Sequence, residues 1–179
     1  MGVTYEEPEF VVISKHRGFE IRFYSDTVQA RVRTTGKDWR GSSGGFRRIA
    51  GYIFGGNNRN EMIAMTAPVH IWEGDDGMMM AFTMPSEYSE NSLPLPNDEG
   101  IQLERQEGGG FCALKFSGLS GPRKSKRLIR RLSTMIESKG LKITGPALLA
   151  IYDNPNTTLP FLRRNEILIP IEMEQPKTD

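Results

Sequence analysis

One cysteine, Cys112, is the chain's whole stock, so no internal disulfide forms. A Cys-rich zinc site and covalent attachment of a cofactor through Cys-x-x-Cys-His are excluded by the same count. Histidine is nearly as scarce: His16 and His70 are the only two, which starves most imidazole-based catalysis and metal chemistry. Charge of one sign is also lacking. The 23 basic and 22 acidic residues leave a formal net charge of +1, without the cation excess a general nucleic-acid binder uses to displace counterions. No apolar run reaches the eighteen or more residues of a membrane-spanning helix. The opening Met-Gly-Val-Thr-Tyr-Glu lacks the basic-then-apolar run of a secretion signal, and Glu6 stands where a myristoylation signal calls for Ser or Thr. These absences, with a lone thiol, point to a cytoplasmic protein. Catalytic signatures are missing too: there is no Gly-x-Ser-x-Gly, P-loop, His-Glu-x-x-His or dinucleotide fingerprint. The reading therefore leans away from an enzyme.

What is present is enough to bury a core. Apolar residues make up 37% of 179 residues, and 19 glycines signal many tight turns. Phe10-Val11-Val12-Ile13 reads as a strand, Phe19 to Tyr24 alternates with Phe19, Ile21 and Phe23 on one face, and Val28, Ala30 and Val32 alternate likewise. The period then changes. Phe46, Ile49, Ala50 and Ile53 recur at i, i+3, i+4 and i+7, which predicts a helical face opened by Ser42 or Ser43 and closed by Gly55-Gly56. Its opposite face carries Gly44, Arg47, Arg48, Gly51 and Tyr52. Val69 to Trp72 and Met78 to Thr83 read as a hairpin turning at Asp75-Asp76-Gly77. A polar, Pro-bearing connection spans Ser86 to Gly100. Strand signals then recur at 101–105 and 111–116, a helix fits Pro122 to Lys139 with Gly140 just past it, and 147–152 and 166–171 read as further strands. Strands, helix, strands thus occurs twice. The expectation is an α+β domain over 5–172, a curved antiparallel sheet or barrel of two pseudo-symmetric halves at about 9–85 and 100–172. Each half carries one flanking amphipathic helix, and 173–179 forms a tail.

Several residue groups have both a chemical and a bland reading. Arg123, Lys124, Lys126, Arg127, Arg130 and Arg131 crowd the second helix; they fit a polyanion or membrane surface, or simply a solvated face, which near-neutral net charge favours. Met62, Met65, Met78, Met79, Met80 and Met84 could line an adaptable pocket, with packed core the default. Cys112 shares a strand face with Leu114 and Phe116 and reads as a buried, inert thiol. His70 is a weak metal-ligand candidate, and no other metal site is expected.

Ile63-Ala64-Met65-Thr66-Ala67-Pro68-Val69 resembles the most recognisable run of the SOUL haem-binding protein family. Phe82-Thr83-Met84-Pro85-Ser86, Leu93-Pro94-Leu95-Pro96-Asn97-Asp98 and Leu159-Pro160-Phe161-Leu162-Arg163-Arg164-Asn165-Glu166 resemble its later segments, in order. Phe19-Glu20-Ile21-Arg22 and Gly55-Gly56-Asn57 agree as well. The resemblance implies a distorted antiparallel β-barrel of two similar halves, with architecture like that of GyrI-like small-molecule-binding domains. It implies non-covalent binding of haem or another tetrapyrrole in a groove beside the first helix, opposite a loop near the C-terminus. Arg47, Arg48, Gly51 and Tyr52 would line that groove from the helix, and Leu159, Pro160 and Phe161 from the loop. A porphyrin is a flat apolar disc with two carboxylates, so arginines at the rim and an aromatic wall suit it. This chain departs from the family pattern in two ways. Phe23 stands where some haem-ligating members carry a histidine after the Glu-Ile-Arg run, and Tyr52 and Leu159 align where members place lysine. The alternatives are a GyrI-like sensor or hydrolase for other hydrophobic small molecules, and a protein-interaction domain using the basic second helix.

Overall fold

The computed structural model describes residues 4–34, 42–154 and 157–177; of Ser42 and Ser43 it describes the backbone, so their expected capping side chains lie outside the described residues. In chain order the elements are β1 (Phe10–His16), β2 (Phe19–Tyr24), β3 (Thr27–Arg33), α1 (Ser42–Ile53), β4 (Val69–Gly74), β5 (Gly77–Thr83), β6 (Gln102–Gln106), β7 (Gly109–Ser117), α2 (Pro122–Ser138), β8 (Leu148–Ile151) and β9 (Arg164–Ile171). Their neighbours pair antiparallel within two units, giving the α+β class expected from the sequence. Unit 1 is Met1–Pro8 with Thr27–Gln106, and unit 2 is Glu9–Asp26 with Glu107–Asp179.

The order strand, strand, helix, strand, strand occurs twice in the sequence, as β2-β3-α1-β4-β5 and β6-β7-α2-β8-β9. The leading strands are exchanged: β2 pairs with β7, and β6 with β3. The units therefore do not follow the sequential halves, because the first hairpin (9–26) belongs to unit 2. Ile21 sits opposite Cys112, so the buried parity of β2 continues the buried parity of β7.

In unit 1 the strand order is β4-β5-β3-β6, with α1 packed on β3 and β5. Ala30, Val32, Ile71, Met80 and Phe82 are buried with Ile49 and Ile53 of the helix. The core reading of the methionines holds for Met78, Met80 and Met84, whereas Met62 is exposed. A β-carbon on Gly45 would stand 2.9 Å from Thr34 Cγ2 and 3.3 Å from Val32 Cγ1, so glycine here lets α1 close on β3.

In unit 2 the order is β1-β2-β7-β9-β8, and α2 covers β7 and β9 with Leu128, Leu132 and Ile136. Pro122 opens α2, and Gly140 at φ +69° closes it: its N–H donates to Glu137 O and that of Leu141 to Ile136 O, a Schellman end. Cys112 is buried, and burial pushes its thiol up to about 11. The other sheet face of unit 2 carries charge. Arg22 donates to both oxygens of Glu166 (2.7 and 2.9 Å), to Glu20 Oε1 (2.7 Å) and to the Tyr24 hydroxyl (2.8 Å), beneath the Phe10 ring at 4.3 Å. Tyr152 donates to Glu166 Oε2 at 2.8 Å. Burial raises the Glu166 carboxyl, and the Arg22 guanidinium more than offsets this, so the group stays below its ordinary range.

Alkaline stability has a defined sign. Burial, acting against the attraction of Arg22, pushes Tyr24 up to about 12, and burial does the same for Tyr52. A phenol raised above its unfolded value stabilises the fold fully below pH about 10 and loses that contribution as pH rises through about 12. Near-ultraviolet phenolate titration followed beside circular dichroism should show ionisation and unfolding together in that interval. Ionisation of these two tyrosines near pH 10 with the fold intact would contradict it.

Candidate functional site

Helix α1 is held at its C-terminal end by its own glycines. Gly55 takes φ +105°, its N–H donates to Tyr52 O, and the Gly56 N–H donates to Gly51 O at 2.9 Å, a second Schellman end. A β-carbon on Gly56 would lie 2.6 Å from Gly51 O, so no other residue fits there without shifting backbone. Buried Asn57 follows. Its Nδ2 donates to Tyr52 O (3.2 Å) and Glu61 O (2.8 Å), and its Oδ1 accepts from the N–H groups of Arg59 and Glu61. The Gly55-Gly56-Asn57 run is thus the device that ends α1.

The segment 93–100 then straps one flank of the helix. Tyr52 Oη donates to Pro94 O at 2.7 Å, Arg48 donates to both oxygens of Asp98 at 2.6 and 2.7 Å, and the Asn97 N–H donates to Gly56 O. The Arg48 guanidinium and the Gly100 N–H hold the Asp98 carboxyl at about 2, well below the usual carboxylate range. This placement corrects the expectation for two residues. Tyr52 is only 2% exposed, so it belongs to the interior of unit 1 and not to the free face. Arg48 is half-buried and committed to Asp98.

Arg47 and Gly51 remain on the uncovered side. Arg47 is exposed and makes no ion pair with a described residue. A β-carbon on Gly51 would meet nothing within 4 Å. Phe54, just beyond the helix, is 58% exposed and completes an i, i+4, i+7 row with them. The row combines a cation, an open backbone and an aromatic ring, which suits one face of a flat apolar molecule with acidic tails. Sequence reasoning missed Phe54. The available signal is its spacing from Arg47 and Gly51, one residue past Ile53, where the apolar stripe ends. Conversely Phe46, expected on the buried stripe, is 41% exposed, with its ring 5.4 Å from that of Phe82.

Leu159, Pro160 and Phe161 lie in unit 2, all exposed, in and beside a 3-10 turn over Pro160–Leu162. His70 is buried on β4, opposite Ala81 of β5. Among the described residues no group of three or more His, Cys, Asp or Glu side chains could hold a metal ion. No described helix is long and apolar enough to cross a membrane.

A family model described as "SOUL heme-binding protein" matches residues 5–170. Heme-binding protein 1 of Xenopus laevis is 27% identical over 93% of this chain and 91% of its own length. Heme-binding protein 1 of Sus scrofa is 25% identical over 67% of this chain, and the chain spans 66% of that protein, just under two thirds. Among solved structures, the C-terminal domain of EcmrR superposes with a TM-score of 0.67 at 12% identity, covering 86% of this chain and 96% of that one. That last likeness is one of fold.

Proposed function

Because this chain belongs to the SOUL heme-binding protein family, we propose that it binds haem or a related tetrapyrrole reversibly and without catalysis, on the uncovered side of α1. The observation that carries this reading is the row Arg47, Gly51, Phe54 on a helix whose other flank is pinned by Asp98 and Pro94. Gly51 lets a ring approach the helix backbone, Phe54 supplies a stacking surface, and Arg47 meets a propionate. Arg48 acts at one remove: its pairing with Asp98 fixes the strap and hence the helix. Tyr52 anchors the same strap from inside. Leu159, Pro160 and Phe161 are kept as exposed candidates on unit 2, and the α1 reading does not depend on them. Phe23 occupies the position where some members carry histidine, so the proposal rests on ring and propionate contacts and assigns no iron ligand.

A sensor or hydrolase for other hydrophobic molecules would draw on a buried acid or tyrosine facing a pocket. Buried Glu166 is already engaged by Arg22 and Tyr152, and buried Tyr52 by Pro94 O, so the tetrapyrrole reading is preferred.

Titration of the protein with hemin, followed at the Soret band, is expected to saturate at micromolar concentrations. Arg47→Glu is expected to weaken binding about tenfold, the order of one charge-assisted hydrogen bond at a partly wet site (~1.4 kcal/mol). An unchanged affinity would remove Arg47 from the site, and no saturable Soret change in the parent protein would remove the function.

A further inference from the structure

One end of unit 2 combines exposed apolar side chains with cations that pair with no described carboxylate, and haem binding on α1 accounts for neither. The 3-10 turn at Pro160–Leu162 packs against β7. Arg164, two residues after Leu162, pairs with Ser117, the last residue of β7, and Asn165 Nδ2 donates to Gly118 O at 2.9 Å. The chain leaving β7 therefore passes beside the chain leaving the turn, and Leu119 comes one residue later. Leu119 is 62% and Leu162 63% exposed, with Phe161 more exposed still. Helix α2 starts at Pro122, tied back to the same spot by Lys124, whose Nζ donates to Ser117 O at 2.7 Å and lies over the Phe116 ring.

The first three turns of α2 carry Arg123, Lys126, Arg127, Arg130 and Arg131, all exposed. None of them pairs with a described carboxylate, and Glu137, near the far end, is the only acid on the helix. Apolar side chains of this size that sit together in water cost free energy unless something covers them. The apolar stripe of α2 is spent on β7 and β9, so the exposed apolar groups are the separate tip formed by Leu119 and the 3-10 turn.

We propose that this end of unit 2 is a peripheral docking surface for an anionic lipid membrane, with Leu119, Phe161 and Leu162 entering the headgroup layer and the α2 cations meeting lipid phosphates and carboxylates. Charge complementarity selects an anionic partner. Two of the three side chains at the tip are leucines, which neither stack on bases nor hydrogen-bond to them, and this selects lipid over nucleic acid. A bilayer accepts Leu and Phe at its interface without a matching pocket. The inference is independent of haem binding, and its decisive residues Leu119 and Leu162 are outside the proposed haem contacts.

The experiment is co-sedimentation of the full chain with phosphatidylcholine vesicles made with or without phosphatidylserine. Binding is expected only to the anionic vesicles. Two surface variants are tested, with folding checked by circular dichroism: the pair Arg123→Glu with Arg127→Glu is expected to weaken binding at least about thirtyfold, and the pair Leu119→Ser with Leu162→Ser at least about tenfold. Absence of binding to anionic vesicles overturns the proposal. So does loss in the charge pair with none in the leucine pair, which would identify a general polyanion surface of the kind an acidic protein or RNA uses. Soret titration of the leucine pair separates the two readings, since hemin affinity should not change.

Discussion

An Arg22→Ala variant is expected to lose about 3–5 kcal/mol of folding stability, enough to unfold a marginal domain. Arg22 is 1% exposed, and its guanidinium is the main partner of a carboxylate buried almost as deeply. Without it Glu166 retains the Tyr152 hydroxyl as a buried hydrogen-bond donor, and its charge stays out of water. Desolvation, the largest influence on this group and now opposed only by the Tyr152 hydroxyl and the Lys115 charge, should then raise the Glu166 carboxyl above its ordinary value. That inverts the pH response. In the parent protein the lowered Glu166 group contributes stability that is present above its unfolded value near 4.5 and lost as pH falls through the folded one. In the variant, acidification should restore part of the lost stability by neutralising the stranded acid. Urea melts of Arg22→Ala at neutral and mildly acidic pH check both statements. The double variant Arg22→Met with Glu166→Gln should recover most of the loss, because a replaced buried pair costs far less than a broken one. A midpoint for Arg22→Ala equal to the parent's would show that the cluster contributes nothing.

This cluster also marks where the sequence stops being informative. Alternation in Phe19–Tyr24 placed Phe19, Ile21 and Phe23 on one face; Phe19 and Ile21 are buried and Phe23 half-buried. The same alternation assigns Arg22 to a polar face. That this face is itself closed, by Glu166 in β9 and the Phe10 ring in β1, depends on pairings far apart in the chain. Helix ends were legible because Gly55 and Gly140 satisfy a local backbone need. The exchange of β2 and β6 between units was not, since either leading strand carries the same two-residue period. On α1 the helical wheel placed Arg47 and Gly51 on the exposed side, where the structure has them. It misplaced Tyr52 and overvalued Arg48, because both are captured by the segment 93–98, whose approach to α1 leaves no periodic trace in the sequence.

Gly51 offers the second large effect. Glycine in a helix costs about 1 kcal/mol relative to alanine, and near the end of α1 nothing packs against the missing side chain. Gly51→Ala should therefore raise stability by about 0.5–1 kcal/mol. Such a costly residue at an exposed helical position is explained if something else occupies the space. In Gly51→Phe the added ring stands in the open volume between Arg47 and Phe54 and keeps a planar ligand off the helix backbone. Hemin affinity is expected to fall at least tenfold, about 1.4 kcal/mol, with no loss of folding. The deciding measurement is a Soret titration of the parent protein and Gly51→Phe side by side, with thermal melts of both. The account predicts saturable binding by the parent, at least tenfold weaker binding by the variant and a variant melting temperature no lower than the parent's; equal hemin affinity in the two proteins would contradict it.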